Sequence, residues 1–199
     1  NLTIRARLWA MVIVSIVALF GVGAVGSWTT RAEQDTVVSV MEGTMPSIST
    51  LGEIQSAFLS LEVDASGHIA TKEPSIKDAA QKGVSESFAK LEAAFAAYEK
   101  LVSDEVEKKM LTTERQLLGE YMPLVTQMME ASRAYDVDAA SALMFGKLRP
   151  ASQKLKEALR AHVEYNRKVA DEIRVRAEKQ ASIGALMSWA VMILGAGIV

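Results

Sequence analysis

Residues 8–28, LWAMVIVSIVALFGVGAVGSW, carry no charge. At a helical rise of 1.5 Å per residue, about 20 apolar residues cross a hydrocarbon layer of roughly 30 Å. Trp9 and Trp28 stand near the two ends of the run, where interfacial aromatics sit. A cleaved signal peptide is the competing reading. Its apolar core would span only about 7–15 residues before a small-x-small site, which Ala24 and Gly26 mimic weakly. The length favours an anchor. A second uncharged run, 183-IGALMSWAVMILGAGIV-199, lies at the short limit of a span. It predicts a second membrane helix, with the sequence cut inside or just after it.

Charge orients the first span. Arg5 and Arg7 precede it with no acid nearby, and all 24 acidic residues lie after Trp28. The positive-inside rule then places residues 1–7 in the cytoplasm and residues 29–182 on the far side. Residues 183–199 return into the membrane. Arg174, Arg176 and Lys179 run against the rule, but long translocated segments cross largely regardless of their charge.

Residues 29–182 are enough for one core. Proline is scarce at four, and no alternating β pattern or Asn-Gly or Asp-Gly turn occurs. The fold class is all-α. Four segments carry apolar residues at helical spacing. The first runs through Met41, Met45, Ile48, Leu51, Ile54, Phe58, Leu61, Ala65 and Ile69, with Pro46 as a bend or restart. The second runs from Ile76 through Val84, Phe88, Leu91, Phe95 and Tyr98 to Val102, after Pro74 in its first turn. The third is read on Val106, Met110, Thr113, Leu117, Tyr121, Leu124, Met128, Ala131 and Tyr135, capped by Ser103 or Asp104. The fourth comprises a short helix over about Ala139–Lys147 and then a long one through Leu155, Leu159, Val163, Asn166, Ala170 and Ile173. No breaker follows before Ile183. Short connections make neighbours antiparallel. The expected architecture is an up-down-up-down four-helix bundle whose first and fourth helices continue into the two membrane helices.

Composition excludes several functions. The chain has no cysteine, so thiolate metal sites and disulfides are absent. Its two histidines, His68 and His162, are 94 apart without a paired-His motif, and no metal is expected. A formal net charge of −2 points to no nucleic-acid partner. No nucleophile elbow, P-loop or Rossmann glycine pattern appears, so neither catalysis nor a cofactor is expected.

The segments 2-LTIRARLWAMV-12, 45-MPSISTLGEIQSAFLSL-61, 97-AYEKLVSDEVEK-108, 137-VDAASALMFGKLRPASQKLKEAL-159 and 164-EYNRKVADE-172 occur in an order and spacing that resembles a known family. The likeness is to the amino-terminal part of bacterial methyl-accepting chemotaxis proteins with a four-helix-bundle sensor domain. It covers essentially the whole chain. It implies a homodimer in the inner membrane with a periplasmic sensor domain. It also implies a small-molecule ligand (organic acid, amino acid or amine), bound between the first and fourth helices across the dimer interface. Output to a cytoplasmic kinase and adaptor would pass through a part beyond Val199. The same bundle also occurs on sensor kinases and cyclases, and a non-sensory membrane-tethered scaffold is the alternative from another class.

The resemblance also implies site residues. In aspartate-type receptors, arginines of the first helix hold carboxylates, and the start of the fourth helix supplies a hydroxyl and backbone carbonyls. Here 149-RPAS-152 occupies that fourth-helix position. Arg149 could clamp a carboxylate with two parallel bonds, and Ser152 could supply the hydroxyl. The ordinary reading of Arg149 is a solvated residue at a helix start. The distal first helix, 58-FLSLEVDASGHIATK-72, has no arginine; Glu62, Asp64 and His68 stand there instead. Asp64 and His68, four apart, share a face and could form a proton-sensing or amine-binding pair, against the plainer reading of a solvated pair. Arg133 and Tyr135 could contribute from the third helix, and His162, beside Val163, reads as structural.

Overall fold

The computed structural model describes residues 4–39 and 43–196, although some side chains near the two ends are outside the description. Every element is helical among the described residues: α1 (Ile4–Ser39), α2 (Met45–Ala70), α3 (Pro74–Tyr98), α4 (Glu105–Arg133), α5 (Val137–Leu143), a π turn (Met144–Leu148) and α6 (Arg149–Ala196). The chain divides into two units, Gly43–Lys168 and residues 1–42 with 169–199.

The unit Gly43–Lys168 is the bundle. Prolines fall where the missing N–H costs little: Pro46 and Pro74 stand in the first turns of α2 and α3. Asp104 caps α4, accepting from the N–H groups of Val106 and Glu107 at 2.8 Å each. Asp136 caps α5 through Ala139 N–H at 2.9 Å. The core is built from Leu51, Ile54, Phe58 and Leu61 of α2, Leu91, Phe95 and Tyr98 of α3, Leu118, Tyr121, Val125 and Met128 of α4, and Leu155 and Leu159 of α6. Each large apolar side chain so buried contributes about 1.5–3 kcal/mol. Phe58 and Tyr121 meet edge to face at 5.1 Å.

Three expectations change. Met41 lies outside the described residues, and Met45 at the head of the first stripe is exposed, as are Ile76, Val106 and Tyr135. The buried face of α4 lies about one residue round from the expected one. It runs Glu107, Leu111, Glu114, Leu118, Tyr121, Val125, Met128 and Ser132, a regular alternation of four- and three-residue steps. Two glutamates and a serine occupy core positions because partners on α3 and α6 await them, so a purely apolar count chose the neighbouring stripe. Finally, the short fourth-segment helix ends at Leu143 and is followed by the π turn. Pro150 cannot donate to the carbonyl four residues back. The Arg149 N–H reaches the Met144 carbonyl instead, five back. That wider turn takes the chain into α6.

The unit of residues 1–42 and 169–199 holds α1 and the C-terminal part of α6. Trp9, Val17, Phe20, Leu186, Trp189 and Ile193 are exposed there. Among the described residues, no helix is long and apolar enough to cross a membrane. Several side chains of 8–28 and most of 191–199 lie outside that description. The expectation of two spans rests on the uncharged runs of the sequence alone.

Candidate ligand-binding cleft

The π turn opens a cleft of about 520 Å³ in the side of the bundle, within the range of small-molecule sites. Helix α2 lines it with Glu62, Ala65 and Ser66, and α4 with Tyr121 and Met128. The π turn adds Met144, Phe145 and Leu148; α6 adds Arg149, Ser152, Gln153 and Lys156. Single π turns recur at functional sites, and Met144 and Phe145 of this one line the cleft.

The polar groups are organised around Glu62. The Ser152 hydroxyl donates to its Oε1, and Lys156 Nζ stands 2.6 Å from Oε2. Glu62 keeps a fifth of its side chain exposed, while Ser152 is buried. Burial, and then the Glu62 charge, holds the Tyr121 hydroxyl above the usual phenol range. Arg149 is exposed at the rim.

Of the residues read from sequence, Glu62, Arg149 and Ser152 thus come together. His68 and Arg133 do not join them. Asp64 and His68 form neither the possible functional pair nor the solvated pair of the plainer reading: Asp64 turns to α3, where it accepts from Ser87 Oγ at 3.2 Å. A Cβ at Gly83 would come within 2.6 Å of the Asp64 carboxyl carbon, so the glycine makes that approach possible. His68 is instead fully buried, its Nδ1 3.0 Å from Ser132 Oγ and its Nε2 without a partner. Burial first, then the charges of Lys77 and Arg133, lower its pKa below 6.5. Arg133 is exposed, pairs with Asp78 at 3.1 Å, and borders a separate groove of about 450 Å³ between α3 and α4.

Sequence reasoning missed Lys77. It is 5% exposed, and its Nζ donates to the carbonyls of His68 at 2.9 Å and Ser132 at 2.8 Å. These carbonyls belong to the last turns of α2 and α4. One ammonium therefore serves the negative ends of two helices, which is why a buried lysine is tolerated without a carboxylate. The Tyr135 ring lies 5.5 Å from the same Nζ, on a residue in the left-handed region at φ 58°.

A second polar layer was also missed, near the opposite ends of α3 and α4. Tyr98, Glu107, Glu114, His162 and Asn166 are all buried. The Tyr98 hydroxyl donates its one hydrogen to Glu107 Oε1 at 2.9 Å, whose other oxygen accepts from Ser103 N–H and Oγ. The phenolic oxygen accepts from Asn166 Nδ2 at 3.0 Å. His162 Nε2 lies 2.9 Å from the same phenolic oxygen. Its Nδ1 faces the Glu114 carboxylate at 3.0 Å. The strict four-three spacing of Glu107 and Glu114 with Leu111 and Leu118 was the signal available for this layer.

Among the described residues, no cluster of side chains could hold a metal ion. The chain belongs to the family of four-helix-bundle sensory modules for signal transduction, the module of methyl-accepting chemotaxis proteins, whose family model matches residues 1–181. No curated protein and no solved structure matches the chain.

Proposed function

We propose that this chain is the ligand-reading portion of a transmembrane chemoreceptor. In this reading residues 8–28 and 183–199 cross the inner membrane and residues 29–182 stand in the periplasm as a homodimer. A small molecule with a carboxylate or amine binds at Glu62, Arg149 and Ser152. Exposed Trp9, Val17, Phe20, Leu186 and Trp189 support the membrane part, since a helix apolar on all sides needs lipid or protein around it. The observation that carries the proposal is the meeting of Glu62, Arg149 and Ser152 in one cleft at the head of α6.

The signal would travel by α6. This helix begins at the cleft and runs from Arg149 to Ala196 without interruption, so a small displacement at its head passes along its length. Binding biases the receptor only by its differential affinity for the two positions of the helix. A cytoplasmic kinase and its adaptor would read the result through chain beyond Val199.

A thermal-melt screen of the full chain in detergent against organic acids, amino acids and amines tests this. A ligand at a hundred times its Kd raises stability by about 2.7 kcal/mol. The reading expects one class to raise the melting temperature in wild type and not in Arg149→Ala. A panel without effect, alongside a protein partner that does stabilise the chain, would favour the scaffold.

A further inference from the structure

Two kinds of contact hold α6 in the bundle. Leu155 and Leu159 bury apolar surface, with Val163 packed beside them. Such surface has no preferred direction and tolerates small shifts of the helix. His162 and Asn166, in the polar layer, are directional, because a hydrogen bond stretched past about 3.5 Å is lost. At 1.5 Å per residue, His162 lies about 9 Å along α6 from Lys156, which lines the cleft.

The members of this layer are not equally committed. The Glu114 and His162 side chains are fully buried, and Glu114 has no other hydrogen-bond partner among the described residues. Parting them would bare a carboxylate in the core, so this contact between α4 and α6 stays closed. Tyr98 of α3 is placed differently. Its hydroxyl meets Glu107 at 2.9 Å, Asn166 Nδ2 at 3.0 Å and His162 Nε2 at 2.9 Å. Glu107 also accepts from Ser103 N–H and Oγ, at 2.7 and 2.9 Å, on its other oxygen. Asn166 Nδ2 also reaches the His162 carbonyl within its own helix, at 3.4 Å. His162 would give up one ring nitrogen contact and keep Glu114. The groups around Tyr98 therefore lose little if its hydroxyl withdraws, whereas those of the Glu114–His162 pair have no substitute.

We infer that Tyr98 is a releasable clasp between α3 and α6, and that α6 has two discrete positions, one with the Tyr98 hydroxyl engaged as here and one with it withdrawn, both keeping the Glu114–His162 pair. Tyr98 is then a positioning residue for the signalling motion. This rests on α6 carrying the signal, as proposed above. Packed interiors switch between arrangements rather than deform continuously, and a clasp with substitute partners on both sides supplies two such arrangements.

Spin labels at Ala89→Cys and Lys168→Cys, exposed positions of α3 and α6, read the separation of the two helices by electron–electron dipolar spectroscopy. The sample is the full chain in detergent with no ligand added. Tyr98→Phe keeps the ring, which lies edge to face on His162 at 4.9 Å, and removes only the hydroxyl. It should move the main distance by about 1–2 Å, or add a second population at that offset. Its melting temperature should fall by no more than about 8 °C. Asn166→Ala removes another arm of the clasp and should move the distances the same way. Val84→Ala truncates the core of α3 outside the layer; it should lower the melting temperature and leave the distances as in wild type. Distributions for Tyr98→Phe and Asn166→Ala that coincide with wild type overturn the clasp. So does an equal shift in Val84→Ala, which would make the movement a general effect of destabilisation. Unfolding of Tyr98→Phe together with wild-type distances in Asn166→Ala also overturns it, since the hydroxyl would then be structural. No ligand enters these measurements, so their failure leaves the sensory reading to the melt screen.

Discussion

Replacing Lys77 by methionine keeps the length of the side chain and removes its charge and donors. The ammonium makes contacts with the carbonyls of His68 and Ser132 and with Ser132 Oγ, at 2.9, 2.8 and 2.5 Å. Two charge-assisted bonds to carbonyls are worth about 3–6 kcal/mol before desolvation is counted. Neither carbonyl is stranded by the change: Ser132 Oγ still donates to His68 O, and Tyr135 N–H to Ser132 O. Burial, and then the charge of Arg133, pulls the Lys77 pKa down, so relieving that desolvation offsets part of the loss. The net cost is about 2 kcal/mol. For a cooperative unit such as Gly43–Lys168, that is a fall in melting temperature of about 8 °C. Circular dichroism melts at pH 7 measure it. A lysine with a depressed folded pKa leaves the unfolded chain holding more protons between the two values, so stability rises with pH across that window. The wild-type advantage over Lys77→Met should therefore widen as pH climbs toward 10.5. A variant that melts within about 2 °C of wild type, or above it, would show that the two helix ends do not hold this ammonium as described.

Other consequences follow from the same contacts. Asp104→Ala removes a cap on two N–H groups and the acceptor of the Tyr165 hydroxyl at 2.6 Å, and should cost about 1–2 kcal/mol in urea unfolding; a loss under about 0.3 kcal/mol would remove the cap from the account. His68 is held neutral with a pKa below 6.5, so the unfolded chain takes up its proton first on acidification. Stability should be flat in this residue above pH 6.5 and decline below it, and the gap between wild type and His68→Gln should shrink between pH 7 and 5; a gap independent of pH would contradict this. The chain has no cysteine, so a Lys100→Cys variant carries one thiol. A membrane-impermeant maleimide added to intact spheroplasts should label it, and labelling only after lysis would reverse the proposed topology.

How much of this could be read from the residues depended on where the polar groups sat. The α2 stripe through Leu51, Ile54, Phe58, Leu61 and Ala65 was legible because its core positions are apolar, and all five are buried. The α4 face was misplaced because Glu107, Glu114 and Ser132 look like surface residues until the groups that satisfy them are seen. Lys77 was invisible for the same reason: its partners are backbone carbonyls, which no sequence pattern displays. Arg149 and Ser152 came from positional likeness to a family and Glu62 from the point where the first helix departs from it; the three share a cleft. His68 and Arg133 were chosen as polar residues on the right helices, yet the rotation of a helix decides which cavity a side chain meets. For α6 the π turn at Met144–Leu148 sets that rotation. Pro150 announces a break but not its width.

The central claim is that occupancy of the cleft moves α6 against α2. Spin labels at Ser60→Cys and Lys168→Cys, two exposed positions of the bundle, report that relation directly by electron–electron dipolar spectroscopy. Saturating carboxylate should shift the interlabel distance by about 1–2 Å, and Arg149→Ala should abolish the shift. Distance distributions that coincide with and without ligand, at concentrations where titration shows the cleft filled, would contradict the account.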